Sequence, residues 1–337
     1  MIIKKKIKRV LEYFAAFYGK HNRDLDEPGL LILGYHRVLP KKHPEDELMQ
    51  PGMKIRPETL EMHIQVLKQH FQIVSLSEWI CKARAGEELP KKSVALTFDD
   101  GWIDNYEYAY PILKREQVPS TIFLVSSMIG TNKQFWPERV SKIISHIRSM
   151  KGQVFDEKQL AWFDYYKLDI TNLRSFDEDV LSDFISRLKE FSDEDIYESL
   201  RVFSDVERQS IFQPQILNKE QLLEMKSSGL VSYGAHTRSH YRLNKIQDQQ
   251  LLESETLGCK KDLESMLGIN VSGFCYPNGD FNANTVDVLK KEYQYSCTTE
   301  KGWNTSKTDV FMLKRILVHD DVSSDPISFK ARISGLI

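Results

Sequence analysis

Apolar positions along the chain fall into two patterns that take turns. Short unbroken runs such as LLILGY at 30–35 and SVALTF at 93–98 have the length of a strand buried on both faces. Longer stretches such as PETLEMHIQVLKQHF at 57–71 repeat apolar residues every three or four positions, the period of one helix face. Pro57 sits at the start of that stretch, where a missing N–H costs a helix nothing. The same reading gives strands at 119–127, 230–236, 271–276, 295–299 and 314–319. It gives helices at about 104–117, 219–228, 247–267 and 282–293. Strand followed by helix, repeated, predicts an α/β fold on a parallel sheet, either open or closed into a barrel.

Two segments fall outside this rhythm. Residues 131–218 are rich in acidic and aromatic side chains and show no strong strand. They read as a helical insertion in one βα loop, either a cover for a site or a decoration with no part in chemistry. At the other end, MIIKKKIKRVLEYFAAFYGK places Ile3, Ile7, Val10, Phe14 and Phe17 at helical spacing, with Lys4, Lys5, Lys6, Lys8 and Arg9 in its first turns. Glu12 interrupts what would otherwise be the apolar core of a secretory signal. The segment therefore reads either as a helix docked on the main domain or as one lying on an anionic membrane surface. The expected organisation is a basic amphipathic segment at 1–28 and a main domain at 29–337 carrying the insertion.

Composition narrows the function classes. A net charge of −2 over 337 residues offers no general attraction to nucleic acid. No run approaches the roughly 18 apolar residues of a membrane span. Cys81, Cys259, Cys275 and Cys297 are far apart and form no CxxC pair, which reads as free thiols in a reducing compartment. The expected location is cytoplasmic, with peripheral contact between residues 1–20 and the inner face of the membrane.

The candidate chemistry begins at LTFDDG, 96–101, where an apolar run ends in two adjacent carboxylates. Like charges this close repel, so one of them needs a counter-charge. Taken alone, Asp99-Asp100-Gly101 reads as a helix N-cap and turn. A second stretch, GAHTRSHYRL at 234–243, spaces His236 and His240 four apart, so that one helical turn would put both imidazoles on one face. Two histidines and one carboxylate around a divalent ion leave open positions, the arrangement of a catalytic site. Adjacent side chains on an extended backbone point apart, which would free the other Asp for a substrate water. His36, Asp99, Asp100, His236, Pro277 and His319 all follow expected strands, and strand ends share one rim in a parallel barrel. Trp102, Phe135, Trp136, Tyr233, Tyr241 and Trp303 are the aromatic residues expected near that rim, as sugar platforms or as core.

TFDDG followed by HTRSH resembles the polysaccharide deacetylases of carbohydrate esterase family four, with residues 29–128 and 219–320 fitting the family layout. The resemblance implies a distorted, incomplete (β/α) barrel. It implies Asp99 as the catalytic base and Asp100, His236 and His240 as ligands of a divalent metal, zinc by default with cobalt or nickel compatible. The family motif R-x-P-Y-G is represented by FCYPNG at 274–279, with Cys275 in place of the Arg and Asn278 in place of the Tyr. Asn278 can still offer the backbone N–H that the family directs at the oxyanion. Arg315, in LKRI, is the expected substitute for the missing Arg, against the plainer reading of an exposed arginine. Leu317-Val318-His319 matches the family's Leu-x-His, which supplies a proton to the departing nitrogen; a histidine paired with Asp320 and Asp321 in a surface turn is the plainer reading. GYHRV (34–38) and FMLKRI (311–316) look like the subgroup acting on bacterial surface polysaccharides. The implied activity is metal-dependent removal of acetyl, N-linked, from an amino sugar in a surface glycan or its precursor. The alternatives are an inactive carbohydrate-binding relative, favoured by Cys275, and a hydrolase of another amide or of an O-acetyl ester.

Overall fold

The protein is described by a computed structural model covering residues 2–46, 49–149, 155–169, 177–204 and 215–337. It divides into two compact units: Met1–Pro40, Gly52–Gly130 and Ile216–Ile337 form the first, and Lys41–Pro51 with Thr131–Gln215 the second.

The first unit is built on strands β1 (Gly29–Tyr35), β2 (Arg37–Val38), β3 (Lys54–Ile55), β4 (Gln72–Ile73), β5 (Lys92–Phe98), β6 (Ser120–Leu124), β7 (Val231–Ala235), β8 (Gly273–Cys275), β9 (Tyr295–Cys297), β10 (Asn304–Thr305) and β11 (Ile316–Leu317). β2 and β3 pair with each other; the rest form one sheet in the order β10-β1-β5-β6-β7-β8-β9, with β11 also on β1 and β4 on β5. All its pairings are parallel except β10 on β1. Every residue of β1 is buried, as expected of a strand covered on both faces. Seven pairs join β1 to β5, but β7 and β8 share one, Ala235 with Phe274. The sheet therefore curls and does not close through regular strands. The gap between β9 and β1 is crossed by a single segment: Leu313 bridges Cys297, and Ile316 and Leu317 pair with Leu33 and Gly34.

Helices cover the sheet where the periodicity predicts them. Pro57–His70 has proline in its first turn. Lys219–Ser227 starts with a reciprocal cap, in which Asn218 Oδ1 accepts from the Gln221 amide and the Asn218 amide donates to Gln221 Oε1. Other expectations are corrected. The helix at 104–117 is a π turn at Asn105–Ala109 followed by Tyr110–Glu116. The one at 247–267 contains a π turn at Ser254–Gly258. The strands expected at 271–276, 295–299 and 314–319 shorten to two or three residues, because strands that curl away from their neighbours keep few ladder bonds.

The N-terminal helix Ile2–Tyr18 docks by an unexpected face. Ala15 and Ala16 pack against Ala331. The Arg9 guanidinium donates to both carboxylate oxygens of Asp325 at 3.1 and 3.0 Å. Of the stripe that the spacing singled out, the Ile3 side chain lies outside the described ones, and the rest points away: Ile7, Val10, Phe14 and Phe17 are 56%, 67%, 57% and 76% exposed.

In the second unit the regular elements among the described residues include Trp136–Ser149, Glu157–Tyr165, Glu178–Leu188 and Asp193–Ser199, with no strand. They enclose a separate core that includes Trp136, Trp162, Phe163, Phe184 and Phe203. Parts of the stretch read as helical, 150–154, 170–176 and 205–214, lie outside the described residues.

Candidate metal centre and active site

The two carboxylates at the end of β5 part company because the backbone turns between them. Asp99 continues the sheet, its amide donating to the Tyr35 carbonyl at 2.9 Å. Asp100 takes φ 76° and Gly101 φ 79°, both left-handed, so the expected extended-chain alternation is not the cause. A side chain at position 101 would also sit 2.7 Å from Leu124 Cδ2, which leaves glycine as the residue that fits.

Asp99 is 2% exposed and held by Arg315, whose Nη1 and Nη2 donate to Oδ1 and Oδ2 at 2.8 and 2.7 Å. Arg315 is itself fully buried and placed by Nε donating to the Thr298 carbonyl and Nη1 to Thr97 Oγ1. It comes from the segment that crosses the gap between β9 and β1. Burial alone would raise the Asp99 pKa, but the guanidinium outweighs it and holds the carboxyl below its usual range. Arg315 is thus no exposed arginine. Cys275 stands beside the pair, Sγ 3.7 Å from Asp99 Oδ2, its thiol pKa raised well above the ordinary value by burial.

Asp100 uses its oxygens differently. Oδ2 accepts a hydrogen bond from Trp102 Nε1 at 2.8 Å. Oδ1 is buried without a hydrogen-bond donor and faces His236 Nε2 at 3.5 Å and His240 Nε2 at 3.4 Å. His236 follows β7, its amide donating to the Leu124 carbonyl. Its Nδ1 lies 2.7 Å from the Cys275 carbonyl, an acceptor only, so Nδ1 carries a proton, and when the ring is neutral Nε2 presents a lone pair. Burial would lower the pKa of His236, but the Asp100 and Asp99 carboxylates outweigh burial and raise it. His240 does not reach the site by a helical turn, as its spacing predicted. Thr237 and His240 both adopt positive φ, 64° and 60°, in a loop. That loop is pinned by the Ser239 amide on Glu255 Oε2 at 2.8 Å and by Arg238, whose Nε and Nη2 donate to Asp262 at 2.7 and 2.8 Å.

The chemistry of this donor set fits a divalent ion. One buried carboxylate oxygen lacking a donor and two imidazole nitrogens lie within 4.8 Å of one another. Burial works against the Asp100 charge, yet His236, His240 and His36 hold its pKa far below the ordinary value. Asp99, His236 and Cys275 also approach one another, but both Asp99 oxygens are engaged by Arg315 and the thiol resists ionisation, so this second set suits a cation less.

The other expected residues are placed as follows. His36 Nε2 is 3.8 Å from Asp99 Oδ2. His319 Nδ1 lies 3.0 Å from Asp321 Oδ2, and burial lowers its pKa; it is near enough to His36 for the two rings to repel when charged. Asn278 follows β8 with φ 54°, and its carbonyl accepts from Thr299 Oγ1. Most of the aromatic platforms are core: Trp102, Tyr233, Phe135 and Trp136 are between 2% and 6% exposed, and Trp303 packs on Phe71 with its indole N–H on the Ile333 carbonyl. Tyr241 is half-buried. Sequence reasoning missed Arg37 and Asp104, a fully buried pair at 2.8 Å, and the contact of Trp102 with Asp100.

A family profile described as polysaccharide deacetylase matches residues 86–151 and 201–296. A poly-β-1,6-N-acetyl-D-glucosamine N-deacetylase of Staphylococcus epidermidis is 24% identical over 330 residues, 92% of this chain and 87% of that protein. The chain carries a polysaccharide deacetylase domain. A second relative, a putative polysaccharide deacetylase of Bacillus subtilis, is 28% identical over 85% of this chain and 72% of its own length. Two solved structures share the fold. The Streptococcus pyogenes deacetylase PplD, in complex with acetate, matches at TM-score 0.59 and 19% identity, covering 92% of this chain and 99% of its own. IcaB from Ammonifex degensii matches at TM-score 0.57 and 20% identity, covering 92% and 100%. The deacetylase profile contains Asp99, Asp100, His236, His240 and Asn278 and ends before Arg315 and His319.

Proposed function

We propose that this deacetylase is metal-dependent and removes N-acetyl groups from an N-acetylglucosamine polysaccharide of the bacterial surface or from its precursor. The observation that carries the reading is the division of labour between the two carboxylates. Asp100 turns Oδ1 toward two histidine nitrogens, while Arg315 holds Asp99 apart as an ionised base. Asp100, His236 and His240 would hold the ion, zinc by default, with cobalt or nickel compatible with the same donors. Held there, such an ion would supply Lewis acidity for the acetyl carbonyl and for the attacking water. Asp99 takes the proton of the attacking water, and Arg315 keeps it ionised and aimed. The backbone N–H of Asn278 donates to the oxyanion as it forms. His319, backed by Asp321, gives a proton to the departing sugar nitrogen. The products are acetate and a free amine.

The test is release of acetate, matched by new amine, from β-1,6- and β-1,4-linked N-acetylglucosamine oligosaccharides incubated with zinc-loaded protein. The relatives' names make the β-1,6 substrate the expected one. Binding without acetate release would establish the inactive carbohydrate-binding reading, and cleavage of O-acetyl esters alone would establish an esterase.

A second proposal concerns the helix Ile2–Tyr18, which we infer lies on an anionic lipid surface. Its outward face carries Ile7, Val10, Leu11, Phe14, Phe17 and Tyr18, each at least 50% exposed, together with exposed Lys6 and Lys8. Apolar and basic side chains on one docked helix suit an interfacial position, each basic residue contributing roughly 1 kcal/mol near such a surface. No helix among the described residues is long and apolar enough to cross a membrane. Co-sedimentation with vesicles containing anionic lipid should fall as salt rises and fall with Phe14→Ser/Phe17→Ser. Equal sedimentation of that variant, or a dimer buried on this face in solution, would overturn the proposal.

A further inference from the structure

Beside the metal ligand, Trp102 holds a position that the mechanism above does not use. Its indole is 2% exposed, and its N–H is directed at Asp100 Oδ2 at 2.8 Å. Behind the indole lies Arg37, the guanidinium carbon 4.3 Å from the ring centre. Arg37 is anchored in turn by Nε on Asp104 Oδ2 at 2.8 Å, and Asp104 Oδ1 accepts from the Val38 amide at 2.7 Å. Arg37 and Asp104 are 2% and 1% exposed. The series Asp104, Arg37, Trp102, Asp100 thus runs from a buried ion pair to one oxygen of the proposed ligand.

Two physical consequences follow. Asp100 Oδ2 already accepts the indole N–H while Oδ1, without a donor, faces both imidazoles, so the arrangement favours ligation through Oδ1 and leaves room for substrate and water. A guanidinium over the indole face draws on the ring electrons and strengthens the N–H as a donor. We propose that Trp102 is a positioning residue, which fixes Asp100 for one-oxygen ligation of the metal, with Arg37 and Asp104 locking the indole in place. This rests on the metal-dependent reading. Partners of ligating carboxylates contribute about 10–100-fold in metal affinity where they have been removed, which sets the expected size.

The test measures metal binding without reference to turnover. Chelator-stripped protein is titrated with cobalt(II), and affinity and the visible absorption spectrum are compared for wild type, Trp102→Phe and Trp79→Phe. Trp79 is the control, a buried indole whose N–H donates to Ser93 Oγ at 3.1 Å, away from the metal ligands. The expected result is a 10–100-fold weaker affinity and an altered spectrum for Trp102→Phe, with Trp79→Phe matching wild type in both. Benzothienylalanine at position 102, which replaces N–H by sulfur at nearly the same shape, should reproduce the loss and serves if the phenylalanine variant fails to fold. Affinity within twofold of wild type and an unchanged spectrum at either 102 substitution would overturn the inference while the metal reading stands. A wild-type chain that takes up no cobalt would overturn that reading and the inference with it.

Discussion

Arg315→Met removes a buried guanidinium and leaves Asp99 in place, with two charge-assisted hydrogen bonds of 2.8 and 2.7 Å gone. Breaking a buried pair on one side costs about 3–5 kcal/mol, because the remaining charge is neither hydrated nor paired. Asp99 has one escape, which is to take up a proton. From the ordinary value of 3.8, protonation at pH 7 costs about 4 kcal/mol, at about 1.36 kcal/mol per pH unit. That limits what the variant loses through Asp99 at pH 7. At pH 5 the limit falls to about 1.6 kcal/mol by the same rule. The sign follows. In the wild type the folded pKa is depressed, so the pair stabilises above the unfolded value and the benefit goes as pH falls through the folded one. In the variant Asp99 moves upward, so its deficit grows as pH rises. Urea unfolding of both proteins at pH 5, 6 and 7 measures this, with the gap expected to widen toward pH 7. The same upward shift should move the acidic limb of the kcat/KM profile to higher pH, since Asp99, as the proposed base, must be ionised. A pH-independent stability gap together with an unshifted acidic limb would refute the reasoning.

Asp99→Asn should retain one equivalent of metal and lose about 10²–10⁴-fold in hydrolysis, the usual contribution of one general base; loss of metal, read by atomic emission after dialysis, would make Asp99 a ligand. His319 has its pKa lowered by burial, so its protonated form is lost at lower pH than for an ordinary histidine, and the basic limb of the rate profile should lie below 6.5. His319→Ala should remove that limb and slow amides far more than activated esters, whose leaving groups need no proton. His63 is buried between Tyr35 Oη and the Ser323 carbonyl, with its pKa lowered by burial from 6.5 to about 3. The unfolded chain takes that proton first as pH falls below 6.5, so stability drops by about 1.36 kcal/mol per unit down to the folded value. His63→Gln should flatten this slope by one proton in urea titrations across pH 4–6.5.

Much of the sheet was legible because burial on both faces leaves unbroken apolar runs: LLILGY and SVALTF became β1 and β5. The late strands were overestimated, since apolar content does not tell how far a curling sheet keeps its ladder. The gathering of Asp99, Asp100, His236 and His240 at one place was legible in the sequence, but the reasons for their positions were not. HTRSH at four-residue spacing suggested a helix, whereas two left-handed residues and the grip of Glu255 and Asp262 deliver His240. The contact of Arg315 with Asp99 was legible as the absence of a counter-charge at Cys275 plus an arginine at the start of the last expected strand. Arg37 and Asp104 left no such signal, because in sequence a buried ion pair resembles two surface charges. The stripe of Ile7, Val10, Phe14 and Phe17 was visible, but not that Ala15 and Ala16, the small residues, would make the contact.

Metal and acetate counted in one experiment test the central claim most directly. Protein stripped with chelator is titrated with zinc while acetate release from a β-1,6-linked N-acetylglucosamine oligosaccharide is followed. The account predicts no release from stripped protein and recovery that saturates at one zinc per chain. It predicts neither tight binding nor recovery for His240→Ala. Full release from stripped protein, or recovery of His240→Ala at one equivalent, would contradict it.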